Sequence, residues 1–298
     1  MKIGVDIGGT NVKLAVVNEG YDIKSTLTIP TEAHLGIDKV MSNLLSGIER
    51  VMDGFECHAI GIGTPGDVDF ERGIVRSAGN LPYNNTPISE IVRKRFGIPV
   101  LLGNDASCAV LAEARAGLGK KYKNFIMLTL GTGVGGGIVI DGKPYLGAHG
   151  AAGEFGHVSI QYDGELCRCG LRGCFENFAS VSALIKMTRE AAKENRDTIL
   201  TSVIESAGLN GKTAFLAKEK GSHTASEVID KYLDNLALGI KNYSRIFDSE
   251  AVILAGAITK ESDALLTPLT EKAGISVPIL ISALGKNAGV IGAAALAK

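Results

Sequence analysis

The sequence predicts an α/β protein built as two lobes with a central cleft. Three observations carry this. Short apolar runs rich in valine and isoleucine alternate with longer stretches of helical period. One pattern, apolar strand then Gly/Thr turn then apolar strand, occurs at residues 3–17 and again at 125–140, an internal echo in which each lobe offers a small-residue hairpin turn to a shared cleft. No long linker interrupts the chain, so the lobes are expected to pack closely.

Taken in order, residues 3–7 read as a strand ending in Gly8-Gly9-Thr10, and residues 12–17 as its hairpin partner. Val40, Leu44, Leu45, Ile48 and Val51 give residues 37–52 a helical period. Residues 59–62 form an apolar strand that leads into Gly63-Thr64-Pro65-Gly66. Thr86-Pro87 has the N-cap hydroxyl and first-turn proline of a helix start, and Gly97 followed by Pro99 ends that helix. A strand at 100–102 runs into Asn104-Asp105, which opens a helix reaching about Leu118. Strands at 125–130 and 137–140 flank Gly131-Thr132-Gly133-Val134-Gly135-Gly136. Residues 181–246 read as largely helical, with Val228, Tyr232, Leu233, Leu236, Ile240 and Tyr243 on one apolar face. Residues 252–254 form a strand closed by Gly256-Ala257, and residues 286–298 an alanine-rich helix.

The bulk numbers exclude several classes. A chain of 298 residues that is 45% hydrophobic and 21% charged can bury a substantial core. A net charge of −1 leaves no electrostatic footprint for nucleic acid. There is neither an apolar run long enough to span a membrane nor a signal-peptide pattern, and a strand follows Lys2 directly. The expectation is a cytoplasmic protein with no membrane partner, whose thiols stay reduced.

The segment 147–180 concentrates the chemistry. His157, Cys167, Cys169 and Cys174 supply an imidazole and three thiolates, the ligand set of a closed tetrahedral structural zinc site. The Cys-x-Cys pair is tighter than the spacing of zinc fingers, and an odd total of five cysteines argues against a disulfide framework. Glu154 precedes His157 and Glu176 follows Cys174, so a bound metal would clip a glycine-rich loop and aim both carboxylates, with the free ring nitrogen of His157, into one pocket.

Two stretches match a dinucleotide fingerprint, Gly131-x-Gly133-x-x-Gly136 and Gly61-x-Gly63-x-x-Gly66, but neither opens a helix that would receive a pyrophosphate. Gly211-Lys212-Thr213 imitates the end of a P-loop, yet Ser206 stands where the upstream glycine belongs. The two hairpin turns are the better anion cradles, because small residues let backbone N–H groups approach a phosphate. Asp6, at the end of the first strand, suits a hydrated magnesium. Asp105 reads either as a helix cap or as a general base for a hydroxyl, with the helix N-terminus favouring its ionised form. Asn104 offers a donor and an acceptor to neighbouring hydroxyls.

In chain order, Asp6-Ile7-Gly8-Gly9-Thr10, Thr64-Pro65-Gly66, Asn104-Asp105, the glycine run 131–137, Glu154-Phe155-Gly156-His157, and Cys167-x-Cys169-Gly170-x-x-Gly173-Cys174-x-Glu176 resemble the ROK family of bacterial sugar kinases and repressors from end to end. The resemblance implies an actin-like ATPase (ribonuclease H-like) fold, divided as a smaller lobe of residues 1–117 with 287–298 and a larger lobe of residues 118–286 carrying the zinc loop. It implies an ATP-dependent sugar kinase, glucokinase-like, that binds ATP with Mg2+ through Asp6, Gly8, Gly9, Thr10, Asn11, Lys13, Thr132, Gly133, Gly256 and Ala257. It assigns Asp105 as the base and Gly66, Asn80, Asn104, Asp105, Glu154, His157 and Glu176 to the sugar, with Zn2+ on His157, Cys167, Cys169 and Cys174. A homodimer or homotetramer is also implied. Three departures, Ala78-Gly79-Asn80-Leu81-Pro82-Tyr83 in a chain without tryptophan, Ala255-Gly256-Ala257, and Asn177-Phe178, leave glucose, N-acetylmannosamine, N-acetylglucosamine, fructose and allose open as substrates. The repressor branch carries an N-terminal helix-turn-helix ahead of the first strand, whereas a strand is expected here from residue 3, and the intact Asp105 argues against a sugar sensor that performs no chemistry.

Overall fold

A computed structural model describes residues 1–148 and 150–297, Ser262 by its backbone alone. The chain divides into two compact units, one of Met1–Lys123, Val139–Ala152 and Ala283–Lys298, the other of Asn124–Ile138 and Gly153–Ser282. Residues 118–123, 139–152 and 283–286, which the sequence reading assigned to the larger lobe, cluster here with the first unit. Lys298, the last residue of the expected C-terminal helix, and His149 of the 147–180 segment lie outside the described residues.

In the first unit, strands β1 (Lys2–Ile7), β2 (Asn11–Val17) and β3 (Ile23–Pro30) form an antiparallel meander. Helix α1 (Ile37–Met52) leads to β4 (Ala59–Thr64), and a small antiparallel pair, β5 (Asp67–Asp69) and β6 (Ile74–Ser77), precedes helix α2 (Ile88–Phe96). Strand β7 (Val100–Asn104) then runs into helix α3 (Asp105–Ala116). The main sheet has the order β3-β2-β1-β4-β7, with β4 parallel to β1 and β7 parallel to β4. Their parallel direction brings the ends of β1, β4 and β7, and so Asp6, Thr64 and Asn104-Asp105, to one edge of the sheet.

Helix α1 spans the residues its period predicts, and Val40, Leu44, Ile48 and Val51 are buried beneath it. The start of α2 differs from expectation. Thr86 is held in a bridge to Val75, and its hydroxyl accepts the Asn84 N–H at 3.2 Å, so Pro87 precedes the helix without a side-chain cap. Its end is as expected, with Gly97 left-handed at φ 71°.

The second unit begins with β8 (Phe125–Leu130) and β9 (Val134–Ile140), followed by β10 (Lys143–Tyr145) at the chain's passage through the first unit. After the cysteine segment come α4 (Glu176–Ala179), α5 (Val181–Glu194), α6 (Thr198–Ala207), α7 (Thr213–Glu219) and α8 (His223–Phe247). Strand β11 (Ala251–Ala255), helix α9 (Ser262–Ala273) and strand β12 (Ile279–Ile281) complete this unit, and α10 (Ala288–Leu296) returns to the first. The second sheet has the order β10-β9-β8-β11-β12, with β11 parallel to both β8 and β12. Helix α8 buries Val228, Tyr232, Leu233, Leu236, Ile240 and Tyr243. Two of these carry polar handles inward: the Tyr232 hydroxyl donates to Ala179 O at 3.0 Å and the Tyr243 hydroxyl to Phe155 O at 2.6 Å. Among the described residues no helix is long and apolar enough to cross a membrane.

Helix α10 has no polar face, because it is covered from several sides. A Cβ on Gly4 of β1 would stand 1.8 Å from Val290 O, one on Gly61 of β4 1.7 Å from Ala293 O, and one on Gly292 1.7 Å from Cys108 O of α3. Helix, sheet and α3 are therefore in backbone contact, and the sheet edge bearing the site residues is fixed by that contact. Gly61→Ala forces the helix off β4 and should cost about 3 kcal/mol or more, the upper end of overpacking, read as a lowered urea midpoint at unchanged far-UV signal.

Candidate functional site

The sequence-predicted site residues fall into two groups, one in each unit. In the first, Gly8-Gly9-Thr10 joins β1 to β2, and the Gly8 N–H donates to Asn11 O at 2.9 Å. Asp6 and Lys13 are cross-strand partners, as the register pairs them. Burial pushes the Asp6 carboxyl up, the Lys13 ammonium pulls it down, and the nearby Asp105 charge adds to the rise. A Cβ on Gly289, in the first turn of α10, would lie 2.3 Å from Asp6 Oδ2, so that carboxylate occupies space only a glycine leaves open. Neither Gly289 nor that contact was legible in the sequence.

Asn80 also belongs to this group. Its side chain packs on the turn, where a Cβ on Gly9 would meet Asn80 Nδ2 at 2.8 Å. Gly66, at φ 109°, is in a backbone region open to glycine, and a Cβ there would come within 2.3 Å of Ser77 O. The segment between Gly66 and Asn80 is steadied by a second unforeseen pair, Thr64 and Tyr83, whose buried hydroxyls are 3.1 Å apart. Burial raises the Tyr83 hydroxyl to about 12.

Asn104 and Asp105 divide the work at the start of α3. Asn104 is the cap: its Oδ1 accepts the N–H groups of Ala106 at 2.9 Å and Ser107 at 3.3 Å. Asp105 is the first helical residue, half-buried, and accepts the Ala106 N–H at 2.8 Å while the Asn104 side chain also hydrogen-bonds its carboxylate. The helix N-terminus was expected to hold this group ionised. Burial outweighs the backbone and Asn104 hydrogen bonds, and its pKa is raised. A carboxylate so placed is a stronger base than an exposed one.

In the second unit Gly131-Thr132-Gly133 joins β8 to β9, and Thr132 is exposed at its tip. The Gly131 carbonyl accepts the N–H of Val181, the first residue of α5, at 2.8 Å. A Cβ on Gly133 would lie 2.5 Å from Glu176 Oε2, so the carboxylate that ends the cysteine segment is seated on this turn. Gly256 follows β11 at φ 114°, with room for a Cβ denied by Leu130 O at 2.1 Å, and the exposed Ala257 begins a short 3-10 turn. Residues 256–257 thus adjoin the same hairpin.

The four proposed metal ligands converge. One ligand atom each from His157, Cys167, Cys169 and Cys174 lies within 4.8 Å of the others. Cys167 Sγ stands 3.6 Å from His157 Nδ1, and Cys169 Sγ 3.5 Å from Cys174 Sγ. Four ligands about 2.3 Å from one centre in a tetrahedron are about 3.8 Å apart, so the donor set fits zinc. The ring also faces both acids, with Nδ1 3.6 Å from Glu176 Oε1 and Nε2 4.0 Å from Glu154 Oε2. With Nδ1 turned to the thiols, Nε2 is the nitrogen left for another partner. The loop is held close by glycines, since a Cβ on Gly156 would meet Val134 O at 2.1 Å and one on Gly173 would meet Gln161 O at 1.7 Å.

Comparison with known proteins agrees over the whole chain. The sequence profile of the ROK family matches residues 2–298. The chain is 36% identical over 306 residues to a glucokinase of Thermotoga maritima, covering 99% of this chain and 96% of that one. It is 35% identical over 311 residues to a glucokinase of Streptomyces coelicolor, covering 100% and 98%. Its structure is similar to that of a ROK family glucokinase from Streptomyces griseus in complex with glucose and AMPPNP, with a TM-score of 0.84 and 32% identity, covering 99% of this chain and 98% of that one.

The geometry of α3 gives a direct test. Asn104→Ala removes the cap and should destabilise the protein by about 1 kcal/mol, while Asn104→Ser, which also caps, should regain most of it; urea midpoints of the three proteins check both.

Proposed function

The chain belongs to the ROK family, and from that premise we propose that it is an ATP-dependent sugar kinase that transfers the γ-phosphoryl group of ATP to a hexose hydroxyl, glucose O6 foremost. Its fold is the α/β actin-like ATPase (ribonuclease H-like) fold. The observation that carries the reaction is Asp105, a half-buried carboxylate with a raised pKa at the edge where β1, β4 and β7 end, electrostatically coupled to Asp6 beside the phosphate turn.

Asp105 is the general base. The sugar hydroxyl oxygen forms a bond to the γ-phosphorus, the bond from that phosphorus to the bridging oxygen breaks, and ADP leaves with the electron pair. The hydroxyl proton passes to the Asp105 carboxylate. Because the transition state is loose, positioning and charge neutralisation dominate over the strength of the base. Gly9, Thr10 and Asn11, with Thr132 and Gly133 of the second hairpin, offer backbone and hydroxyl donors to the phosphates, Gly8, whose own N–H is spent on Asn11 O, leaves the turn room to approach them, and Gly256-Ala257 offers a loop to the adenosine. Asp6 is the acid that would hold Mg2+, whose charge would offset that of the phosphates, and Lys13 adds a cation beside it.

Gly66, Asn80, Asn104, Glu154, His157 and Glu176 make the sugar subsite. Two carboxylates, which accept from hydroxyls, and an imidazole N–H, which donates to a hydroxyl oxygen, suit a polyol. His157, Cys167, Cys169 and Cys174 would hold a structural Zn2+, which would clip the loop and leave Nε2 of the ring to the sugar.

The test is phosphorylation of a panel of hexoses and N-acetylhexosamines by wild type and Asp105→Asn. Turnover should fall on the order of 10²–10⁴-fold in the variant, with glucose affinity retained by calorimetry; near-normal turnover would sink the assignment. Since the base works only when ionised and its pKa is raised, the acid limb of the wild-type rate profile should lie above the ordinary aspartate range, with activity lost as pH falls through it.

A further inference from the structure

One buried group is used by nothing described so far. Thr31 follows the last residue of β3 and is 0% exposed. Its hydroxyl donates to Gly8 O at 2.6 Å and its backbone N–H donates to Thr10 O at 2.9 Å. One residue therefore holds two carbonyls of the first hairpin turn. In an ordinary four-residue turn the first carbonyl accepts the N–H of the fourth residue; here Gly8 O accepts a side-chain hydroxyl from the neighbouring strand.

A trans peptide is planar, so the N–H of each residue points opposite to the carbonyl before it. Holding Gly8 O toward Thr31 turns the Gly9 N–H away from it, and holding Thr10 O toward Thr31 does the same for the Asn11 N–H. Gly9 and Gly8 are the positions where a backbone is least able to hold its own direction. We propose that Thr31 is a positioning residue for nucleotide binding: by fixing the carbonyls of Gly8 and Thr10 it aims the Gly9 and Asn11 amides of the turn at the phosphates of ATP. Thr31 is itself held from α1, where Asn43 Nδ2 donates to Pro30 O at 3.1 Å and to Thr31 O at 3.5 Å. Its hydroxyl is consumed by Gly8 O and touches no substrate. The inference rests on the kinase reading for the identity of the anion.

Two variants separate the hydroxyl from the packing. Thr31→Val keeps the shape and removes the donor; Thr31→Ser keeps the donor. The measurement is the Kd of Mg-AMPPNP and, separately, of glucose, by calorimetry on the full chain, with KM and kcat beside them. Thr31→Val should weaken AMPPNP binding about tenfold and raise the KM for ATP in proportion, with glucose Kd within twofold of wild type and kcat little changed. Thr31→Ser should restore nucleotide affinity to within about twofold. Unchanged AMPPNP affinity in Thr31→Val overturns the proposal, and so does an equal loss of both ligands, which marks general loosening. If Thr31→Val does not fold, Thr31→Ser and Asn43→Ala decide: the proposal stands if Asn43→Ala weakens AMPPNP selectively and Thr31→Ser does not, and falls otherwise. A wild type that binds AMPPNP without phosphorylating any sugar refutes the kinase reading alone, whereas one that binds no nucleotide refutes both.

Discussion

At a handful of positions both units depend on the absence of a Cβ. Gly4, Gly61 and Gly292 let α10 lie in backbone contact with β1, β4 and α3. Gly133 admits the Glu176 carboxylate to the second hairpin turn, and Gly156 and Gly173 let the cysteine segment fold onto itself and onto β9. Backbone approaches of this kind are steric, so they set positions more sharply than apolar packing does, where side chains adjust. The site residues stand at the ends of elements fixed in this way, which is the support that a constellation of reacting groups requires.

Electrostatics is layered on that frame. Asp6 and Asp105 are like charges, each partly desolvated, and both carboxyls are raised by burial. Lys13 opposite Asp6 offsets part of this. Two acids kept close at a cost in solvation are a recurrent feature of sites that bind cations and move protons. The two hairpin turns are handled alike: Gly8 O and Thr10 O are held by Thr31, and Gly131 O by the Val181 N–H. In each, a carbonyl is tied back by a neighbouring element.

Elements with a strong period were legible in the sequence. Helix α1 spans 37–52 as read, and the apolar face of α8 is buried residue for residue. Strand β3 escaped notice because its residues alternate between exposed and half-exposed and bury almost no face. Strand β12 is three residues long, and α9 carries Pro268 inside it, against the ordinary helix signal. At the site, the motif residues and the proposed metal ligands could be named because each carries its chemistry in its type and spacing. What joins them could not: Asn80 against Gly9, Glu176 against Gly133 and Gly289 behind Asp6 are contacts between distant segments, and Thr31 lies in a stretch with no motif. The direction of the Asp105 shift was missed for a related reason, since sequence reveals the helix start but not how deeply it is buried.

The return of α10 bears on how the molecule is made. The helix that covers β1 and β4 follows the whole second unit in the chain, so that unit is synthesised before it. Until then the glycine-lined face of the first sheet is open, and the Asp6 carboxylate lacks the turn of α10 against which it rests. Closing contacts across almost the full chain is slow, because loop entropy is paid before the contacts reward it. Until α10 joins it, the nascent first unit is therefore an unsealed sheet, and the turn between β1 and β2 settles only then.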